Sequence, residues 1–129
     1  MADVERLNPP TLSDPGGRYT SVVKRGNIVF IAGQTAMDKD GNLVGEGDPL
    51  AQARQVYANI DAAIKSVGGT KDDILKTTTY VLSRDYVLAT RPARNEFFGD
   101  NRPTSTMLII QGLADPRYLI EVECEAVLS

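Results

Sequence analysis

The sequence predicts an α+β domain in which a mixed sheet carries two helices on one face. The chain has 129 residues, a length that suits one domain with one core. Five short runs are rich in the β-branched and aromatic residues that favour strands. Two longer segments repeat apolar residues at spacings of three and four, as amphipathic helices do. Their order predicts β-β-α-β-α-β-β in a single domain over residues 1–129.

The amino-terminal part predicts a lead-in followed by two strands. Residues 1–17 are rich in Pro, Gly and Asp, so we expect them to be irregular. Strands are predicted over 20–25 and 27–32, with Gly26 at the turn between them. Because the second run is almost wholly apolar, it predicts a strand that is buried on both faces.

The first helix is predicted over 48–67. Asp48 is a residue type that favours the N-cap position, and Pro49 suits the first helical position. The apolar residues of the segment form one continuous stripe. Gly68 predicts the end of the helix, because glycine readily adopts the left-handed cap conformation.

A further strand and a second helix follow. Residues 74–82 are β-branched and aromatic, which predicts the strand. Residues 85–98 show a helical pattern that stops at Gly99. Pro92 lies inside this helix and predicts a kink or a shortening, because proline lacks the backbone donor that a helix needs.

The last quarter of the chain, residues 101–126, predicts a β-hairpin. An apolar run leads to a turn over 112–116, and a run that alternates acidic with apolar residues follows. Because both helices cover one face of the sheet, we expect Met107, Ile109 and Val122 to leave apolar surface on a monomer. Such a face usually packs on another copy, so the sequence predicts an oligomer.

The composition argues against several functions. A net charge of −3 disfavours nucleic-acid binding. The chain has no histidine, which removes Ser-His-Asp hydrolysis, histidine-bound metals and a histidine base. The single Cys124 excludes an intrachain disulfide framework, and we interpret it as a buried structural thiol. Lys76 could form a Schiff base if desolvated, but a solvated strand lysine is the preferred interpretation.

The sequence also predicts the cellular location of the protein. No apolar run is long enough to span a bilayer. The amino terminus lacks the basic and apolar regions of a secretory signal. We therefore expect a cytoplasmic protein with no membrane partner.

Short segments in a characteristic order carry a resemblance to a known family. They are Arg18-Tyr19, Ala32-Gly33-Gln34, 51–55 with Asn59, 73–78, 95–99, Arg102-Pro103, 113–117 and 120–123. No segment is specific alone, but together they resemble the Rid family, the YjgF-like reactive intermediate deaminases. The resemblance runs from about residue 17 to the end. It implies a chorismate-mutase-like fold and a homotrimer, in which three sheets form a barrel with a ligand cleft at each subunit interface.

The resemblance implies an activity as well. Family members that carry an arginine just after the proline hydrolyse reactive enamines and imines, such as 2-aminoacrylate and 2-iminobutanoate, to ammonia and a 2-keto acid. A carboxyl group can position the attacking water or carry its proton. The arginine binds the substrate carboxylate through its planar fork. No metal or organic cofactor is implied.

Three residues match positions in the family's cleft. Glu121 aligns with the water-positioning glutamate, and Glu123 is the alternative if the turn is misaligned. A solvated strand acid, one of three on a face with Glu125, is the competing interpretation of Glu121. Tyr19 matches a tyrosine that could cap the ligand, and Gly33 matches a glycine whose backbone lines the cleft.

Ser105 is the main departure, because it stands where the deaminases carry the arginine. Charge-assisted hydrogen bonds contribute roughly 1.5–3 kcal/mol against about 1 for neutral ones, so carboxylate binding should weaken about tenfold to a thousandfold. Met107 replaces a common cysteine and makes the site more apolar. Arg91 is the candidate replacement cation, whereas Arg94 and Arg102 are interpreted as solvated charges.

Two functions therefore follow from the sequence. The first is a Rid-like hydrolytic deaminase of a reactive enamine or imine, with an atypical substrate range or weak activity on small 2-imino acids. The alternative is a non-catalytic, trimeric protein that binds a small ligand or regulates. A chorismate-type enzyme rests on fold analogy only. The expected partners are other copies of the chain and a small carboxylate or imine ligand.

Overall fold

The computed structural model describes residues 2–129 and contains a mixed sheet with two helices packed on it. The elements are β1 (Val4–Leu7), β2 (Val22–Arg25), β3 (Ile28–Gln34), α1 (Pro49–Lys65), β4 (Ile74–Val81), α2 (Arg84–Phe98), β5 (Thr104–Ile109) and β6 (Ile120–Val127). The strand order is β1-β2-β3-β6-β4-β5. Only β4 and β5 pair in parallel among these strands. The predicted α+β class, with two helices on one face, is confirmed.

The predicted C-terminal hairpin is wrong. β6 lies between β3 and β4, and it pairs antiparallel with both. β5 instead pairs in parallel with β4, because α2 carries the chain back across the sheet between them. The connection over 110–119 is longer than the two to five residues of a typical hairpin loop, so it can pass β4 and place β6 in the centre.

The irregular lead-in predicted over residues 1–17 is also only partly correct. β1 lies within it and pairs antiparallel with β2, which adds a sixth strand to the predicted five. The residues that resist strand formation begin later, at Pro9. The side chain of Asn8 fixes the end of β1 by accepting a hydrogen bond from the backbone N–H of Ser21 at 2.9 Å.

The strand predicted to be buried on both faces is buried on one. In β3, Val29 and Ile31 are buried, whereas Ile28 and Phe30 remain half exposed. The alternation arises because the helices cover only one side of the antiparallel strand. We call the uncovered side the open face.

The predicted uncovered apolar surface exists, but its members differ from the three residues expected. The open face carries Ile28, Phe30, Leu108 and Val127, all exposed. Val122 is fully buried on the helix side, and Met107 packs partly against the core. Ile109 is exposed, but its register with buried Val81 places it on the helix side as well.

Both helices form as predicted, and the core lies between them and the sheet. The Asp48 carboxylate accepts a hydrogen bond from the Ala51 N–H at 3.1 Å and so caps α1. Pro92 does not shorten α2, because Ala93 and Phe98 beyond it are buried and hold the helix in place. Across residues 2–129, neither helix has the length and apolar character that crossing a bilayer requires.

Candidate functional site

A cavity beside β3 and β6 brings together three residues that the sequence singled out. Tyr19, Gly33 and Glu121 all line this space, which has a volume of about 640 Å³. We call it the Glu121 cavity. Tyr19 is half exposed at its rim, and Glu121 extends into it from the open face of β6.

Gly33 and Glu121 are in direct contact. A Cβ atom placed on Gly33 would lie 2.7 Å from Oε2 of Glu121, which is much closer than ordinary van der Waals contact. Gly33 does not have a positive φ, so a side chain at this position would conflict with the Glu121 carboxyl group and not with the backbone conformation. The β3 backbone thus forms one wall against the Glu121 carboxyl group.

Glu121 differs from the other two acids on its face. The Tyr80 hydroxyl donates a hydrogen bond to Glu123 at 2.7 Å, and Lys76 forms a salt bridge with Glu125 at 3.7 Å. Within residues 2–129, Glu121 has no hydrogen-bond or ion-pair partner. Burial raises the pKa of the Glu121 carboxyl group, and the nearby Glu123 charge raises it further. Of the three acids, Glu121 is therefore the one that is partly buried, unpaired within residues 2–129 and part of the lining of the Glu121 cavity.

Two buried polar residues of α1, Gln52 and Asn59, hold the walls of the Glu121 cavity, and the sequence did not predict this role for them. The Gln52 amide donates to the carbonyl groups of Gly45, at 3.2 Å, and Arg117, at 2.9 Å. Its carbonyl accepts from the backbone N–H of Leu119 at 2.9 Å. These bonds tie the 110–119 connection, which contributes Ala114 and Tyr118 to the cavity, to the helix.

Asn59 performs the same task for the loop after β3. Its side-chain amide donates to the carbonyl groups of Thr35, at 3.0 Å, and Met37, at 2.8 Å, and both residues line the cavity. The sequence feature that could have predicted this supporting role is the presence of Gln52 and Asn59, seven residues apart, inside an otherwise apolar stripe. Buried polar side chains are retained where they satisfy backbone groups.

A second, smaller cavity surrounds Ser105 on the helix side of the sheet. It has a volume of about 210 Å³, and we call it the Ser105 cavity. Its lining comprises Thr77, Arg94, Asn95, Phe98, Arg102, Pro103 and Ser105. Ser105 is in register with buried Thr77 of β4, so it faces the helices, whereas Glu121 lies on the open face. A single chain therefore does not bring these two residues into one site.

The remaining candidates lie apart from both cavities. Arg91 is exposed on α2 and lines neither cavity, and Met107 packs against the core. Cys124 is buried, and burial raises the pKa of its thiol to about 12, as suits a structural residue. Lys76 is exposed and paired with Glu125, in agreement with the solvated interpretation. Within residues 2–129, no group of three acidic, histidine or cysteine side chains is arranged to hold a metal ion.

Comparison with known proteins identifies the family that the sequence segments resemble. The family model described as endoribonuclease L-PSP matches residues 11–128. A RutC family protein of Pyrococcus horikoshii is 32% identical over 112 residues, which are 87% of this chain and 88% of the relative. A Rid family protein of unknown function from Yersinia pestis superposes with a TM-score of 0.91 at 26% identity, covering 98% of this chain and 100% of that one.

A third similarity concerns the fold alone. RidA from the Antarctic bacterium Psychrobacter sp. PAMC 21119 has a TM-score of 0.89 at 24% identity, over 96% of this chain and 99% of that one. The fold and the matched segments define a small α+β protein of the YjgF type. The chain belongs to the endoribonuclease L-PSP (YjgF/Rid) family, as the sequence segments predicted.

Proposed function

We propose that this protein is a Rid-like hydrolytic deaminase, which converts a reactive enamine or imine to a keto acid and ammonia. The observation that carries the proposal is the state of Glu121. This carboxyl group is half-buried, has a raised pKa, lacks a protein partner within residues 2–129 and faces a cavity. A carboxyl group in that state can accept a proton from water near neutral pH and return it within the same reaction.

The chemistry needs one water and one carboxylate. Glu121 accepts a proton from water as the water oxygen bonds to the imine carbon, and it returns that proton to the imine nitrogen, which gives a carbinolamine. Glu121 then takes the hydroxyl proton of the carbinolamine and passes it to the amino nitrogen as the carbonyl forms and the C–N bond breaks, which releases ammonia and the keto acid. The rim position of Tyr19 and the bare backbone at Gly33 suit contacts with the substrate. The proposal invokes neither a metal nor an organic cofactor, and it places the reaction in the cytoplasm.

We further propose that the active form is a homotrimer with its ligand clefts between subunits. The exposed Ile28, Phe30 and Val127 on the open face support burial against other copies. The positions of Ser105 and Glu121 on opposite faces of one sheet support a cleft that draws on two chains. Sedimentation equilibrium should give a mass near three times 14.0 kDa, and a mass of 14.0 kDa would contradict the trimer.

A specific observation favours a second candidate function. Ser105 gives the Ser105 cavity a neutral hydroxyl where the deaminases of the family have an arginine. A trimer that retains the cleft and has lost the chemistry would bind a small ligand without turnover. The two functions differ in whether the protein accelerates imine loss.

The test couples the purified protein to a threonine or serine dehydratase, and it follows the imine as its semicarbazone. A deaminase lowers semicarbazone formation in proportion to its concentration. The matched control is the dehydratase with Glu121→Gln protein at the same concentration. If wild-type protein at high concentration leaves semicarbazone formation unchanged, the deaminase proposal for small imines is wrong and the binding function is favoured.

A further inference from the structure

We propose that Arg94 and Arg102 together form the carboxylate clamp of this protein, in the Ser105 cavity. The inference rests on the proposed function, because it names the residues that hold the substrate carboxylate in place of the missing arginine. It differs from the sequence interpretation, which favoured Arg91.

The Ser105 cavity is positively charged. Its lining includes Arg94 and Arg102, and no acidic residue contributes to it. Within residues 2–129, neither of these arginines forms a salt bridge, whereas Arg54 and Arg117 do, with Glu96 at 3.0 Å and Asp115 at 2.9 Å. Two unpaired guanidinium groups around one acid-free cavity favour an anionic ligand.

The Glu121 cavity is a poorer anion site. It also contains two cations, Arg18 and Lys39, but Asp14, Asp40 and Glu121 line the same space. Lys39 is already paired with Asp40 at 3.4 Å. A carboxylate entering there would meet acidic side chains, whereas the Ser105 cavity presents none.

Arg102 is exposed, and one hydrogen bond to the backbone orients its side chain. Its Nε donates a hydrogen bond to the Gly99 carbonyl oxygen at 3.2 Å, which leaves the terminal nitrogens of the guanidinium available. A restrained guanidinium loses less rotamer entropy when it binds a ligand. The planar fork can then donate two parallel hydrogen bonds to one carboxylate.

The rest of the cavity suits a small ligand with a short apolar part. Ser105 and Asn95 contribute neutral polar groups, and the small Ser105 side chain leaves free the space that an arginine would occupy. The ring of Phe98 is buried and packs edge-on against Tyr57 and Phe97, with centroid separations of 5.8 and 4.9 Å. The structure therefore assigns the cavity to the carboxylate end of a small acid.

The experiment is a titration with 2-oxobutanoate, a stable keto acid, followed by NMR at constant ionic strength. We expect Arg94→Gln and Arg102→Gln each to raise the dissociation constant at least tenfold, because each removes charge-assisted hydrogen bonds. Arg84→Gln is the matched control, since it removes an exposed arginine of the same helix that lines neither cavity. It should change the constant by less than about twofold.

Several results would overturn the clamp. They are undetectable binding of 2-oxobutanoate to wild-type protein, unchanged affinity in both arginine variants, and loss of affinity in Arg91→Gln instead. A guanidinium fork binds both carboxylates and phosphates, so inorganic phosphate is titrated in parallel. Tighter binding of phosphate than of 2-oxobutanoate would contradict the assignment of the cavity to a carboxylate. Arg94→Lys and Arg102→Lys keep the charge without the fork, so each should recover only part of the affinity.

Binding and turnover are measured separately, so the two proposals can fail independently. Arginine-dependent binding without imine hydrolysis would support the arginine clamp and contradict the deaminase function. Imine hydrolysis by the wild-type protein, with unchanged binding in Arg94→Gln and Arg102→Gln, would support the deaminase function and contradict the arginine clamp. Amide spectra of each variant show whether it is folded, and a Lys variant replaces any Gln variant that is not.

Discussion

Replacing Gln52 by leucine tests how the walls of the Glu121 cavity are held. Gln52 is 0% exposed and makes three hydrogen bonds, to Gly45, Arg117 and Leu119. Leucine has a similar size, so the main loss is the three bonds, each worth about 1 kcal/mol net. We therefore expect the free energy of unfolding to fall by about 3 kcal/mol.

This loss has a measurable size in thermal unfolding. At about 2.1 cal/mol/K per residue, the chain has an unfolding entropy of about 270 cal/mol/K, so the midpoint should fall by about 11 °C. Circular dichroism at matched protein concentration gives the midpoint. Hydrogen exchange at the Leu119 amide, which bonds to Gln52, should also accelerate more than exchange in the centre of β6.

The matched control is Gln111→Leu, because Gln111 is exposed and its side chain makes no hydrogen bond within residues 2–129. Exposed substitutions usually change stability by less than about 0.5 kcal/mol, which here corresponds to about 2 °C. If Gln52→Leu lowered the midpoint no more than Gln111→Leu does, the proposed support of the cavity walls by Gln52 would be refuted.

Three further predictions concern the site and the assembly. Gly33→Ala should lower imine hydrolysis about a hundredfold and leave folding intact, because its Cβ would displace the Glu121 carboxyl group, as kinetics and circular dichroism can show. Glu121→Gln should match wild-type stability below pH 4.5 and exceed it at neutral pH in urea unfolding. The reason is that the raised pKa of Glu121 stabilises the folded state only while the group is protonated, and this contribution is lost as pH rises through the folded-state pKa. Phe30→Glu should dissociate the proposed trimer in sedimentation, because it would bury a charge at the open face.

Local patterns in the sequence predicted those parts of the fold that depend on residues close together along the chain. The cap at Asp48, the apolar stripe of α1 and the pairing of β2 with β3 all depend on residues close in sequence. The central position of β6 depends on pairing with β3 and β4, which are far away in sequence. An alternating strand fits a hairpin or a sheet centre equally well, so its pattern alone could not separate the two.

The candidate site was likewise predictable only in part from the sequence. The resemblance pointed to Tyr19, Gly33 and Glu121, and all three line one cavity, while their roles stay a prediction. It could not distinguish Glu121 from Glu123, because the difference lies in the Tyr80 hydroxyl across the sheet. Arg91 and Arg94 are three residues apart on one helix, and only the packing of α2 shows which of them reaches the Ser105 cavity.

The proposed function requires Glu121 to perform proton transfer in imine hydrolysis. The most direct measurement compares the rate constants of wild-type protein, Glu121→Gln and Glu125→Gln in the dehydratase-coupled assay. Loss of a positioned general acid–base group lowers the rate about 10²- to 10⁴-fold, which we predict for Glu121→Gln. Glu125→Gln, on the same strand and face, should stay close to wild type. Equal rates for wild type and Glu121→Gln would contradict the claim.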